Sequence, residues 1–154
     1  MVKIKNLSNI DILNNSRKLG NKLPHDNEAE EILIGALISE NNSVELIENG
    51  LSDYHFYIPM LGRIYKAVVD LTNKDQIANP LTLDHYFSDD EAFNEIGGKE
   101  YLIGLCEGNL GYSIVRDYAN LIIELFNKRE LIKIAQNIFI TSQKLDYEKS
   151  SLEL

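Results

Sequence analysis

Between Ser113 and about Gln143 the chain has no glycine and no proline, and Tyr118, Leu121, Ile122, Leu125, Ile132, Ala135, Ile138 and Phe139 recur through it. An apolar repeat near 3.6 residues with neither helix breaker predicts one long helix, for which Ser113 is the candidate cap. At ~1.5 Å per residue, about thirty residues span roughly 45 Å. The other residues make a head smaller than that, so the helix is expected to project from it.

Shorter helices fill the preceding part. Asp26 or Asn27 is a candidate cap, with Asn27 and Glu30 at capping-box spacing, and Ala29, Ile32, Leu33, Ala36 and Leu37 fall on one helical face. A short helix is expected around Ser43 to Glu48, ended by Gly50, with Ser52 and Asp53 offering the next cap. Pro59 suits the first turn of a helix whose face is Leu61, Ile64, Tyr65, Val68 and Leu71. Thr82 is expected to cap a helix bearing Leu83, Tyr86 and Phe87. Asp89 and Asp90 open a turn through Phe93, Gly97 and Gly98 break it, and Tyr101, Leu102 and Leu105 mark one more helix. No segment alternates apolar and polar residues over a strand's length, so the expected fold class is all-α. The division is a flexible extension over 1–22, a helical head over 23–112, and a long helix with the start of a hairpin over 113–154.

Charge narrows the function. Residues 1–22 carry five Lys or Arg against Asp11, or +4, so a net charge of −9 leaves −13 on the remainder. An acidic body repels the nucleic-acid backbone, which makes direct nucleic-acid binding by the head unfavourable and a protein partner the better expectation. The longest apolar run, Ile32 to Ile38, is far short of the ~18 residues a spanning helix needs, and the lysine-bearing start lacks the apolar stretch of a secretory signal. The cytoplasm is the expected compartment. Cys106 is the one cysteine, which excludes an internal disulfide, and is expected to be a small core residue.

No catalytic constellation emerges. His25, His55 and His85 stand thirty residues apart without local His or Cys companions, so no metal site is expected. Asp84, Asp89, Asp90 and Glu91 lack the glycine-centred pattern of a calcium loop and suit helix starts. Gly97-Gly98-Lys99-Glu100 has neither the glycine spacing nor the Ser or Thr of a phosphate loop.

A collinear series of short blocks points to a family. Pro24-His25 with Glu28-Ala29-Glu30, Gly35-Ala36-Leu37, Phe56-Tyr57, Ile64-Tyr65-Lys66-Ala67, Thr82-Leu83, and Ile96-Gly97-Gly98 with Tyr101-Leu102 are followed by Tyr118-Ala119, Arg129 and Leu131-Ile132. In order and spacing, residues 24–140 resemble the N-terminal domain of DnaB-type replicative DNA helicases. Leu61 stands where that family usually has a histidine, Asn79 where an aspartate is usual, and Leu110-Gly111 where a Val-Pro turn is typical.

The resemblance implies a bacterial, non-catalytic interaction domain. It would support a hexameric ring and bind the C-terminal region of primase, with a helicase loader as a further candidate partner. ATP and magnesium would belong to a motor domain whose phosphate loop this sequence lacks, so the chain alone is not expected to be an enzyme or to hold a cofactor. The resemblance also implies that Ser150 to Leu154 begin the second arm of a helical hairpin, as in a truncated chain. Glu28, Tyr101, Tyr118, Ile132 and Ile138 occupy positions associated with primase contact or subunit packing. A plainer reading makes Tyr101 and Tyr118 core residues and Glu28 a helix-start charge. The rival function is a free-standing acidic adaptor or inhibitor that mimics the helicase domain. On either reading, self-association is expected through the seam near Ile132, Ile138 and Phe139.

Overall fold

Helix α1, Asn27–Ser39, begins where Asp26 accepts a 3.0 Å bond from the Ala29 N–H, so Asp26 rather than Asn27 is the cap. This is a computed structural model, and it describes residues 23–48, 50–108 and 111–152, with side chains as far as Lys144. The flexible extension expected over 1–22 lies outside the described residues, as does Leu110. The described residues are helical or irregular, with no strand among them. They form two units: His25–Phe126, and Leu23–Pro24 together with Asn127 onward.

After α1 the sequence predicts a short helix, and the chain instead makes a 3-10 turn, Asn41–Leu46. Asn41 explains the change. Its Nδ2 donates to the Leu37 carbonyl and to the Ala78 carbonyl, both at 2.8 Å, while its Oδ1 accepts from the Ala78 N–H at 2.9 Å. One side chain thus closes α1 and pins a distant loop, whose Ala78 is fully buried and has both backbone groups satisfied by it. Gly50 takes a left-handed conformation, as its place after this segment suggested. A second 3-10 turn, Asp53–His55, follows, in which the Ser52 N–H donates to His55 Nδ1 at 2.8 Å.

Helix α2, Pro59–Thr72, has proline at its first turn and buries Leu61, Ile64, Tyr65 and Val68, the face its spacing predicts. Leu61, at a family histidine position, is a fully buried core residue. Gly62 lies directly against the Asp53 carbonyl, leaving no room for a Cβ. Helix α3, Pro80–Tyr86, starts one turn before the predicted cap. Asn79 accepts from the N–H groups of Leu81 and Thr82, both at 2.9 Å, and Thr82 Oγ1 accepts from the Asn79 N–H at 2.9 Å. Thr82 therefore answers the cap instead of being it. Pro80 favours this earlier start, and Asn79 caps as well as the aspartate usual in the family. Asp90 caps α4, Glu91–Glu95, and Gly98 opens α5, Gly98–Glu107, with left-handed glycines at 97 and 98.

The core joins Leu33, Ile34 and Leu37 of α1 to the α2 face, with Leu83, Phe93, Leu102, Val115, Ala119 and Ile122. Gly35 permits the approach of α1 to α5, since a Cβ there would strike the Leu105 carbonyl. Cys106 is partly exposed and packs at the edge of this core.

Helix α6, Val115–Leu152, is longer than the sequence predicts at both considerations of length: it has 38 residues. Ser113 lies inside a preceding 3-10 turn, Tyr112–Ile114, and is not its cap. Ser150, Ser151 and Leu152 continue α6 and do not open a second arm. No glycine or proline follows Gly111, so nothing in the local sequence stops the helix there.

Tyr65 supplies a pH-dependent prediction. Its hydroxyl donates to the Leu51 carbonyl at 3.1 Å, and burial pushes its pKa up to about 12. The neutral phenol is the favoured folded form, so its contribution is complete below the ordinary tyrosine pKa near ~10 and is lost as pH rises through about 12. We expect stability to fall by about 2 kcal/mol across that window, with a smaller fall in Tyr65→Phe. Urea unfolding at stepped alkaline pH measures it, and identical profiles for the two proteins would refute the assignment.

Candidate functional site

The unit His25–Phe126 presents an arrangement that the sequence blocks do not reveal. Glu30, placed by spacing in a capping box, turns its carboxylate inward and is nearly inaccessible. It accepts from the Tyr57 N–H at 2.6 Å and the Ile58 N–H at 3.1 Å. Ile58 is the N-cap of α2 and has no side-chain oxygen to offer, so a carboxylate from α1 serves the start of another helix, where the backbone dipole favours negative charge. The Tyr57 ring stacks on His25 at 4.0 Å, with the planes 7° apart. His25, Glu30 and Tyr57 are thereby joined around the start of α2. Tyr57 remains partly exposed at its rim.

Each predicted site residue takes a distinct place. Glu28 is exposed in the first turn of α1. Tyr101, on α5, is half-buried against the core and donates its hydroxyl to Glu31 Oε1 at 2.7 Å. Burial first, and then this bond to a carboxylate, raises the Tyr101 pKa above the ordinary tyrosine range. Tyr118, on the first part of α6, is also half-buried against the core. The two tyrosines thus have structural contacts of their own while retaining accessible edges.

Ile132 and Ile138 lie beyond Asn127, where α6 departs from the single stripe that the sequence suggests. Residues six apart on an α-helix lie about 120° apart around the axis, so these two do not share a face. Leu131, Ile134 and Ile138 make one apolar face, and all three are more than half exposed, Leu131 at 65%. Ile132 and Phe139 belong to another, about 120° around the axis, on the side of Arg129 and Gln136. Ile132 is half-buried, whereas Ile138 is 63% exposed. A helix with apolar residues on more than one side is suited to cover from more than one direction. Leu131 and Ile134 are the functional candidates missed in the sequence, and heptad spacing from Leu131 to Ile138 was the signal for them.

Arg129 is buried and donates to the Pro24 carbonyl at 2.9 Å, tying the chain just before α1 to α6 within the second unit. Of the carboxylates considered for a cation, Asp90 has an ordinary task. Asp90 pairs with Arg63 and accepts from the Phe93 N–H at 3.1 Å, and the Arg63 guanidinium holds its pKa below the usual carboxylate value. Among the described residues no group of three or more His, Cys, Asp or Glu could hold a metal ion. None of their helices is long and apolar enough to cross a membrane.

Residues 22–124 match the model of the DnaB-like helicase N terminal domain. The chain belongs to that family. Its helices, its core and the motif contacts around Glu30 are therefore those of a family member. A relative from Rickettsia conorii, described as replicative DNA helicase DnaB, is 35% identical over 75% of this chain and 24% of its own length. Another of that description, from Treponema pallidum, is 28% identical over 81% of this chain and 29% of its own length. The chain thus spans about a quarter of the length of these relatives. The crystal structure of the N-terminal domain of DnaB helicase from Mycobacterium tuberculosis shares the fold, with a TM-score of 0.72 and 21% identity. That likeness covers 79% of this chain and 85% of the other.

Proposed function

We propose that this chain is the non-catalytic interaction and oligomerisation domain of a replicative DNA helicase, acting in the bacterial cytoplasm. It would support a hexameric ring and bind the C-terminal region of primase, with a loader as a further candidate partner. The observation that carries this reading is the exposed apolar face of α6, Leu131, Ile134 and Ile138, in a chain of this family. Contiguous apolar patches of several hundred Å² on a soluble protein mark contact surfaces. The acidic remainder disfavours nucleic acid and favours a protein partner. Glu28, Tyr101, Tyr118, Ile132 and Ile138 are candidate positions for primase contact or subunit packing. ATP and magnesium chemistry is assigned to a motor domain and not to these residues, because the sequence has no phosphate loop.

The test is to sediment the chain alone and with the C-terminal region of a bacterial primase, and to assay ATP turnover in the same preparation. We expect self-association at micromolar concentration, a complex with the primase region, and no turnover above background. A chain that stays monomeric at hundreds of micromolar and forms no complex would refute the interaction role. ATP turnover that co-purifies with it would refute the non-catalytic one.

A further inference from the structure

Helix α3 buries Leu83, and Phe87 at its end, in the core, yet it carries apolar residues on its outer side as well. Leu81, His85 and Tyr86 fall on an arc of about 140° around its axis, and all three are exposed. Ile77 joins them at the base, because Thr82, on the same arc, donates its hydroxyl to the Ile77 carbonyl at 2.8 Å. Ile77, Leu81 and Tyr86 are each more than half accessible. A surface helix ordinarily turns polar residues outward, so large apolar side chains grouped on so short an element form a contact strip. Carboxylates edge it. Asp84 lies about 60° beyond Leu81 and Asp89 follows Tyr86, and among the described residues neither is paired with a cation. Past Tyr86 opens a cleft of about 290 Å³ lined by Arg63, Tyr86, Phe87, Ser88, Asp89 and Asp90. The Arg63 guanidinium is already engaged there, paired with Asp90 and lying over the Phe87 ring at 5.6 Å. Asp89 and the exposed Tyr86 ring are left to meet an incoming group.

We propose that the outer face of α3 docks a basic amphipathic helix of a partner protein, its apolar side on Ile77, Leu81 and Tyr86 and a Lys or Arg side chain in the cleft beside Asp89. Charge selects the occupant. Residues 75–95 carry six Asp or Glu and no Lys or Arg, and residues 25–126 carry nineteen against five, a net −14. The same face of a second copy would bring like charges together, whereas cations along the edges of a basic helix meet Asp84 and Asp89. In the cleft a cation gains the Asp89 carboxylate and the Tyr86 ring together. Apolar anchors on one side of a helix, seated on a complementary strip, are a recurrent mode of peptide recognition. None of the residues named above for primase contact or subunit packing lies on this face, so the inference goes beyond the proposed function and gives the head a second docking surface.

The probe is a synthetic helical peptide of about five turns, with Leu on one side and Lys along its edges. Titrated into the full chain, it is mapped by two-dimensional NMR and its affinity is measured by calorimetry. We expect shifts concentrated at residues 77–90, and a dissociation constant that rises at least about tenfold in Leu81→Ser/Tyr86→Ser and again in Asp84→Asn/Asp89→Asn. A peptide of the same composition in scrambled order should bind at least about tenfold more weakly. Circular dichroism checks that both variants, altered only at the surface, remain folded. Shifts that map elsewhere, an affinity that either pair of substitutions leaves unchanged, or equal binding of the scrambled peptide would overturn the inference. Self-association of the chain that disappears in Leu81→Ser/Tyr86→Ser would assign the strip to a second copy and overturn it as well. Each of these failures leaves association through α6 and the primase complex standing, since those are read in separate measurements.

Discussion

Replacing Glu30 with alanine is expected to destabilise the chain by about 3 kcal/mol, more than any single exposed substitution in the head. The carboxylate accepts from two backbone N–H groups, those of Tyr57 and Ile58, at a place nearly closed to water. Alanine leaves both donors without this acceptor, and each unsatisfied buried donor costs about 1–3 kcal/mol. Glu30→Gln keeps one carbonyl oxygen and most of the packing, so it should recover about half of the loss. Urea unfolding measures both, with the midpoint moving and the slope unchanged if the native contact is the cause. A Glu30→Ala midpoint within error of the parent would show that the start of α2 does not depend on this carboxylate.

Glu30 also shows why parts of the fold were legible and others were not. Its spacing from Asn27 fits a local capping box, and a local rule has no means of reporting that the side chain serves residues 57 and 58. The same limit hid Asn41, whose partner Ala78 is 37 residues away, and turned a predicted helix at Ser43 into a 3-10 turn. Signals that act within one turn were read correctly at Pro59 at the start of α2, Asp90 at the start of α4, and the apolar face of α2, whereas the buried face of α1 takes in Ile34 and Ile38 and leaves Ile32 and Ala36 half-buried. Thr82 lies between these cases. It does take part in the cap of α3, but Pro80 shifts the start of the helix and gives Asn79 the leading role.

The candidate site was legible in kind more than in geometry. The chemistry-bearing residues form no reactive cluster among the described residues, and the family blocks converge on contacts that hold helices together. Tyr101 illustrates the difficulty of separating interface from core. A tyrosine beside an apolar face fits both, and only the structure shows that its hydroxyl is given to Glu31 while its ring is half-buried. On α6 the sequence correctly indicates a long helix with excess apolar residues. Writing those residues as one stripe, however, merges two faces that the 100° step of the helix keeps apart.

That separation sets the terms for the strongest test of association. Ile134 and Ile138 are one turn apart on the exposed face, so Ile134→Asp/Ile138→Asp places two carboxylates side by side in the expected seam. In an isolated chain both positions are already largely in water, and the cost to folding should be under about 0.5 kcal/mol. In an assembly they would be desolvated without a partner, and the dissociation constant should rise at least about 100-fold, equivalent to about 2.7 kcal/mol. Ile132→Asp is the informative contrast, because its half-buried side chain lies around the helix from that seam. It should weaken association by no more than a few-fold while loosening the α6 segment itself. Sedimentation equilibrium gives the association constants and circular dichroism the helicity of all three proteins. If Ile132→Asp dissociates the protein and the Ile134/Ile138 pair does not, the seam lies on the Arg129 side. Loss of helicity throughout in the paired variant would instead show that the face it alters is already packed within the chain.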